Sequence, residues 1–160
     1  MEAKPLEQLT FSVIGCAMRV HNTLGPGLKE SAYQEALSIE LERAGLSFVP
    51  EQSVEMHVDG AAIGLLYLDH LVDGQLIVEE KAVSHLLTKE GVAQVITYLR
   101  AVGKPVGLLL NFGRKRLEYK RIFPPKNVTL WRDRIRRYVW VPPEARSLNL
   151  LNHPLTGTPA

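Results

Sequence analysis

Apolar residues along the chain switch between a helical and a strand period several times, and each switch marks an element. The first stretch, residues 6 to about 23, carries Val13, Ile14 and Ala17 at helical spacing and ends at Gly25-Pro26-Gly27, which no helix can cross. A second helix over residues 30 to about 44 follows, with Tyr33, Leu37, Leu41 and Ala44 on one stripe, Glu30 in its first turn, and Gly45 placed as a C-cap. Strand patterns then occupy residues 48 to 58, 62 to 72 and 75 to 82, the last two joined at Asp73-Gly74, a strong two-residue hairpin signal. A third helix, about 88 to 102, has the stripe Val92, Val95, Ile96, Leu99 and Val102, with Gln94 and Tyr98 together on a different face. Strands at 105 to 112 and 116 to 123 complete the pattern, all boundaries holding to ~3 residues. The order is an α-β-β-β-α-β core with a mixed sheet and an extra N-terminal helix, an α/β fold.

The strand pattern determines which side chains can meet. Around the hairpin, Asp69 in LLYLDHLV and Glu79 in QLIVEEK lie on adjacent antiparallel strands. Alternation puts Glu79 and Lys81 on one face and Glu80 on the other. Two carboxylates and an ammonium among apolar neighbours are costly unless something charged binds there. A hard divalent cation fits, with Asp69, Glu79 and the main-chain carbonyl of Glu80 as oxygen donors and Lys81 beside the attacking water. The same residues would also serve as a plain cross-strand salt bridge of Lys81 with Asp69 or Glu79.

At this point the chain resembles a known family. GLKESAY matches the G-x-x-E-x-x-Y signature of the GxxExxY proteins, and Asp69, Glu79-x-Lys81 and Gln94-x-x-x-Tyr98 follow in that family's order, continuing through GLLLNFG and YKRIF. The likeness covers roughly residues 7 to 123, and the family is a branch of the PD-(D/E)XK nuclease superfamily, with a restriction-endonuclease-like core. The resemblance implies that Asp69 and Glu79 ligate Mg2+ (or Mn2+), that Lys81 serves the attacking water, that Glu30 supports the metal, and that Gln94 with Tyr98 completes the site. Two departures stand out: the middle residue of E-x-K is Glu80 where an apolar one is usual, and no proline precedes Asp69.

Composition bounds the rest. With 160 residues, 46% hydrophobic and 22% charged, one globular domain is expected over residues 1 to 123, followed by a basic extension over 124 to 160. No run is long enough for a membrane span and MEAKPLEQL has no signal-peptide core, so a cytoplasmic protein without membrane partners is expected. Cys16, the single cysteine, reads as a small buried hydrophobe. The net charge of +2 conceals a division: residues 114 to 137 carry ten Lys/Arg against two acids, residues 1 to 113 eight against fourteen. A basic segment beside an acidic core suits a phosphodiester backbone. Arg114, Lys115, Arg116, Lys120 and Arg121 are the nucleic-acid-binding candidates, and a solvated face is the plain alternative. In the extension, Trp131, Ile135 and Tyr138 would share the stripe of a short helix starting at Asn127. Among the histidines, His70 should face away from Asp69, His85 is either a surface residue or one that reaches the site from its loop, and none has metal-ligand spacing.

The expectation is therefore a Mg2+-dependent nuclease acting on nucleic acid, DNA above all, with a homodimer left open. A non-catalytic nucleic-acid- or protein-binding module on the same fold is the rival. A Schiff-base lysine at position 81 ranks last, because neighbouring carboxylates keep an amine protonated.

Overall fold

In the computed structural model, residues 6–124 are described, apart from the side chains of residues 56–58 and 101. The expected helix and basic residues beyond 124 lie outside these residues. The elements are α1 (Glu7–Leu24), α2 (Glu30–Arg43), β1 (Phe48–Val58), β2 (Ala61–Val72), β3 (Leu76–Lys81), α3 (Lys89–Val102), β4 (Val106–Asn111) and β5 (Glu118–Ile122). They form one five-stranded mixed sheet in the order β1-β2-β3-β4-β5. The first three strands are an antiparallel meander, β3 and β4 run parallel across the α3 crossover, and β5 returns antiparallel. The α-β-β-β-α-β order with a leading helix is thus the fold. The β2–β3 loop differs by one residue: Val72 pairs with Leu76, leaving Asp73, Gly74 and Gln75 as a three-residue loop. Asp73 and Gly74 both take positive φ, and the Gln75 amide donates to the Val72 carbonyl, so the expected Asp-Gly turn is kept and a residue is added after it.

Helices cover both faces. α1 and α2 pack Val13, Ala17, Tyr33, Leu37 and Leu41 against Leu76, Val78, Leu108 and Leu110. α3 packs Val95, Tyr98 and Leu99 against Leu71, Ile77 and Leu109 on the other face. Strands β3 and β4 are covered on both sides, which is why their sequences are nearly continuous apolar runs and why any acid on β3 must be buried. Cys16 is buried, as expected. No helix of the described residues is long and apolar enough to cross a membrane.

Local chemistry sets the helix ends that matter for the site. The Tyr33 hydroxyl donates to the Gly25 carbonyl and accepts from the Leu28 amide at 3.2 Å, closing the Gly-Pro-Gly turn just before Glu30. Its ring stacks on Phe112 with centroids 4.8 Å apart. The tyrosine of GLKESAY is therefore a buried clamp that fixes where α2 begins. At α3, the Thr88 side chain accepts from the Gly91 amide, and Gly103 ends the helix in the left-handed region.

A seam joins the C-terminal ends of β3 and β4. The Phe112 amide donates to the Lys81 carbonyl at 2.8 Å, and the Asn111 side chain accepts from the Val83 and Gly113 amides and donates to the His85 carbonyl. Gly113 is required here, because a Cβ at that position would lie 2.4 Å from the Val83 nitrogen. Gly113→Ala should cost about 1–3 kcal/mol in urea denaturation, the usual penalty of overpacking. Gly91→Ala, whose Cβ meets nothing nearer than 3.5 Å, should instead leave stability unchanged or raise it by up to ~1 kcal/mol through helix propensity.

Candidate active site

The antiparallel pairing of β2 with β3 stops after His70↔Val78. Beyond it the strands splay, and side chains take over from the ladder. The Glu80 amide donates to Asp69 Oδ2 at 2.8 Å, and the Asp69 amide donates to Glu79 Oε1 at 3.1 Å. Each carboxylate thus gives one oxygen to the other strand's main chain. Glu79 is 3% exposed and Glu80 0%. Burial, then the Asp69 charge, pushes the Glu79 carboxyl up to about 9, with Lys81 opposing. Positive charge beside this pair would favour the ionised form.

Lys81 and the helix α3 supply part of it. The Lys81 ammonium donates to Gln94 Oε1 at 3.2 Å, and Gln94 Nε2 donates to the Tyr98 hydroxyl at 2.7 Å. Tyr98 shares a face with Gln94, as the spacing predicts, and is also buried. It belongs to the buried apolar cluster with Val95 and Leu99 and reaches Gln94 only through its hydroxyl, because the ring is long enough to be packed at its base and bonded at its tip. Burial and then the Glu79 charge raise its pKa to about 12, so it stays protonated. Glu30, the first residue of α2, is half-buried, and its carboxyl is raised by burial and the Asp69 charge and lowered by Lys81. It thus stands within electrostatic reach of both.

The other sheet face holds a feature that sequence reasoning left unjoined. His70 and Glu80 both turn toward α2, as alternation requires. His70 Nδ1 lies 2.5 Å from Glu80 Oε1, and His70 Nε2 lies 2.7 Å from Ser38 Oγ on α2. The Nδ1–Glu80 approach is off the direction of an aligned ring N–H bond, so it is close without being a well-formed ion pair. Burial moves both groups toward neutrality: His70 is lowered to about 4, and Glu80 is raised well above the carboxylate range. Strand alternation combined with the hairpin register was the signal that could have paired them. No sequence signal marks the bond between His21 Nε2 and the Arg114 carbonyl, 93 residues away.

Two clefts flank the acids. One of about 330 Å³ contains Asp69 and His70 with Glu35 and Glu51. The other, about 520 Å³, contains Lys81 and Gln94 with the β3–α3 loop and the start of α3. Among the described residues no three His, Cys, Asp or Glu side chains gather into a metal cage. The donor chemistry nevertheless fits a hard divalent cation, since Asp69 and Glu79 are adjacent oxygen donors, each bonded to the other strand's main chain, whose like charges oppose one another. The basic candidates divide. Arg114, Lys115 and Arg116 follow the β4 end and so lie at the same end of the sheet as Lys81, which pairs with Asn111. Lys120 and Arg121 pair with Leu109 and Leu108, farther down the sheet, and Arg121 lies 4.0 Å from Glu7.

Comparison with known proteins agrees with this architecture. A model of the PD-(D/E)XK nuclease superfamily matches residues 7–122. Among curated proteins nothing matches. One solved structure, titled "Crystal structure of SSO0001", is 17% identical with a TM-score of 0.42, over 75% of this chain and 80% of that one. The family match spans every element from α1 to β5, and the chain belongs to the PD-(D/E)XK nuclease superfamily.

Proposed function

We propose that the protein is a divalent-metal-dependent nuclease that hydrolyses phosphodiester bonds of nucleic acid, DNA first among them, and that GLKESAY places it in the GxxExxY branch. The observation that carries this reading is the Asp69–Glu79 pair, half-exposed on β2 and buried on β3, bonded across the strands beside Lys81 and its partner Gln94. Asp69, Glu79 and the main-chain carbonyl of Glu80 would hold Mg2+ or Mn2+, with Glu30 supporting from α2. When bound, the ion neutralises phosphate charge and lowers the pKa of the attacking water. Lys81, held by Gln94 and Tyr98, orients that water and stabilises charge building on the phosphoryl oxygens. The water oxygen bonds to phosphorus as the water releases a proton to solvent, the bond to the leaving sugar oxygen breaks, and that oxygen takes up a proton from solvent. The exposed Lys115 and Arg116, with Arg114, grip flanking phosphates. The soluble, cytoplasmic setting expected from the sequence suits such an enzyme.

Two outcomes are expected. Calorimetry should show Mg2+ binding to the parent and to Lys81→Ala, while Lys81→Ala loses about 10²–10⁴ in cleavage rate. Asp69→Asn should lose binding and cleavage together. A parent protein that binds single- and double-stranded DNA and RNA yet cuts none with Mg2+ or Mn2+ would be a binding module.

A pH profile reads the acid pair directly. Glu79 has a folded pKa of about 9 against roughly 4.3 unfolded. The folded state therefore holds a proton that the unfolded chain has released, so this contribution is full at low pH and is lost as pH rises toward 9. His70, at about 4 folded against roughly 6.5 unfolded, acts in the opposite sense but only below pH ~6.5. In EDTA the Tm should thus fall between pH 6.5 and 9, and Glu79→Gln should flatten the fall.

Neutralising Arg114, Lys115 and Arg116 together should weaken DNA binding and reduce the slope of log K against log salt by about 0.7–0.9 per lost phosphate contact. An unchanged slope in fluorescence anisotropy would show that these charges are solvated surface.

A further inference from the structure

The 520 Å³ cleft lies beside the reacting groups and has a chemistry unlike theirs. Val83, Leu87 and Gly91 give it an aliphatic lining, and Lys81 with Gln94 connects it to the acid pair. Its size is within the ~300–1,000 Å³ of sites that enclose a small molecule. Glu90 also lines it, which disfavours a phosphate there and leaves a flat, uncharged group as the better occupant. His85, exposed on the β3–α3 loop, lines the same cleft, and its Nδ1 bonds the Leu86 carbonyl at 2.8 Å, so the imidazole is held by its own loop. A ring oriented in advance at the wall of an apolar cleft is a platform on which a base can stack.

The surroundings indicate the path of the chain that carries this base. The loop lining the cleft is joined to the end of β4 by the Asn111 bonds to Val83 and His85 and by the close approach of Gly113 to Ala82 and Val83. Arg114, Lys115 and Arg116 come next in the chain. Phosphates can thus follow the basic turn while a base enters the cleft. On the opposite side of the acids, Glu35 and Glu51 line the smaller cleft and repel a phosphate chain.

We propose that the cleft between the β3–α3 loop and the start of α3 receives an unpaired nucleobase next to the scissile phosphate, so that the substrate is a single strand or a frayed end rather than a continuous duplex. This deepens the nuclease reading and rests on it. A base in a duplex is stacked and paired, and its entry costs unpairing, whereas a base in a single strand enters without that cost.

The test reads binding apart from cleavage. Fluorescence anisotropy in EDTA would compare three labelled probes of equal phosphate number: a single-stranded oligonucleotide, the same chain with every base removed, and a hairpin-capped duplex. The parent should bind the single strand about tenfold tighter than the abasic chain, the contribution of roughly one stacked base. His85→Ala and Gly91→Met, the second adding bulk at the cleft wall, should each bring the two affinities together while leaving the abasic value unchanged. Equal affinities for the normal and abasic strands in the parent, a preference retained in both variants, or tighter binding to the capped duplex would overturn the proposal. Cleavage of the same probes with Mg2+ tests the nuclease reading separately: a base preference in EDTA without cleavage under any condition sinks that reading and leaves a base-binding cleft, while cleavage of normal and abasic strands at equal rates does the reverse.

Discussion

Everything around the site depends on the gap where β2 and β3 part and carboxylates do the work of main-chain carbonyls. Asp69 and Glu79 each accept a hydrogen bond from the opposing strand. The ladder is thereby continued through side chains for one more step, with the β3 side buried and Asp69 on β2 half-exposed at a cleft. Satisfying the two amides this way places two carboxylates together in a low-dielectric setting. It also fixes their separation more tightly than surface side chains could, because the backbone of each strand grips the acid of the other.

The two helical layers then stabilise that gap in different ways. On the α3 side, Lys81, Gln94 and Tyr98 form a chain from the ammonium into the apolar cluster, so the charged end of the chain is fixed by packing at the other end. On the α2 side, Ser38, His70 and Glu80 form a nearly neutral column between the helix and both strands. The second column explains the unusual acid in the middle of E-x-K. An apolar residue there would pack against α2 with no polar group near His70, whereas Glu80 sets a carboxyl 2.5 Å from His70 Nδ1, the ring whose Nε2 meets Ser38 on the helix that begins with Glu30.

The fold was readable because its elements are long, strongly periodic and bounded by Gly, Pro and Asp-Gly, so boundaries fell within a residue or two of the structure. The pairing of Asp69 with Glu79 was readable for the same reason: one hairpin and strict alternation leave few choices. What escaped the sequence depends on the third dimension. Tyr98 was read on a separate face of α3 yet is buried, because it stands three residues after Val95 and four before Val102, so its ring flanks the apolar stripe while its hydroxyl reaches Gln94. Asn111 showed only as a letter in GLLLNFG, although its amide joins three segments, because nothing local distinguishes a buried asparagine from an exposed one. The one-residue extension of the β2–β3 loop was equally invisible, since the Asp-Gly turn it contains is compatible with either length.

The parallel alignment of β3 with β4 brings two loops off the sheet at the same end, one carrying Lys81 into the β3–α3 turn and the other leading to Arg114–Arg116. Because these loops are joined at Asn111 and Gly113 but lie on different strands, length or sequence changes in the β4–β5 turn reshape the charged end of the sheet without moving an oxygen of the acid pair. Surface charge and acid geometry are therefore separable in inheritance. A lineage can edit a surface turn while the gap between β2 and β3 stays under the strict geometric control of the core.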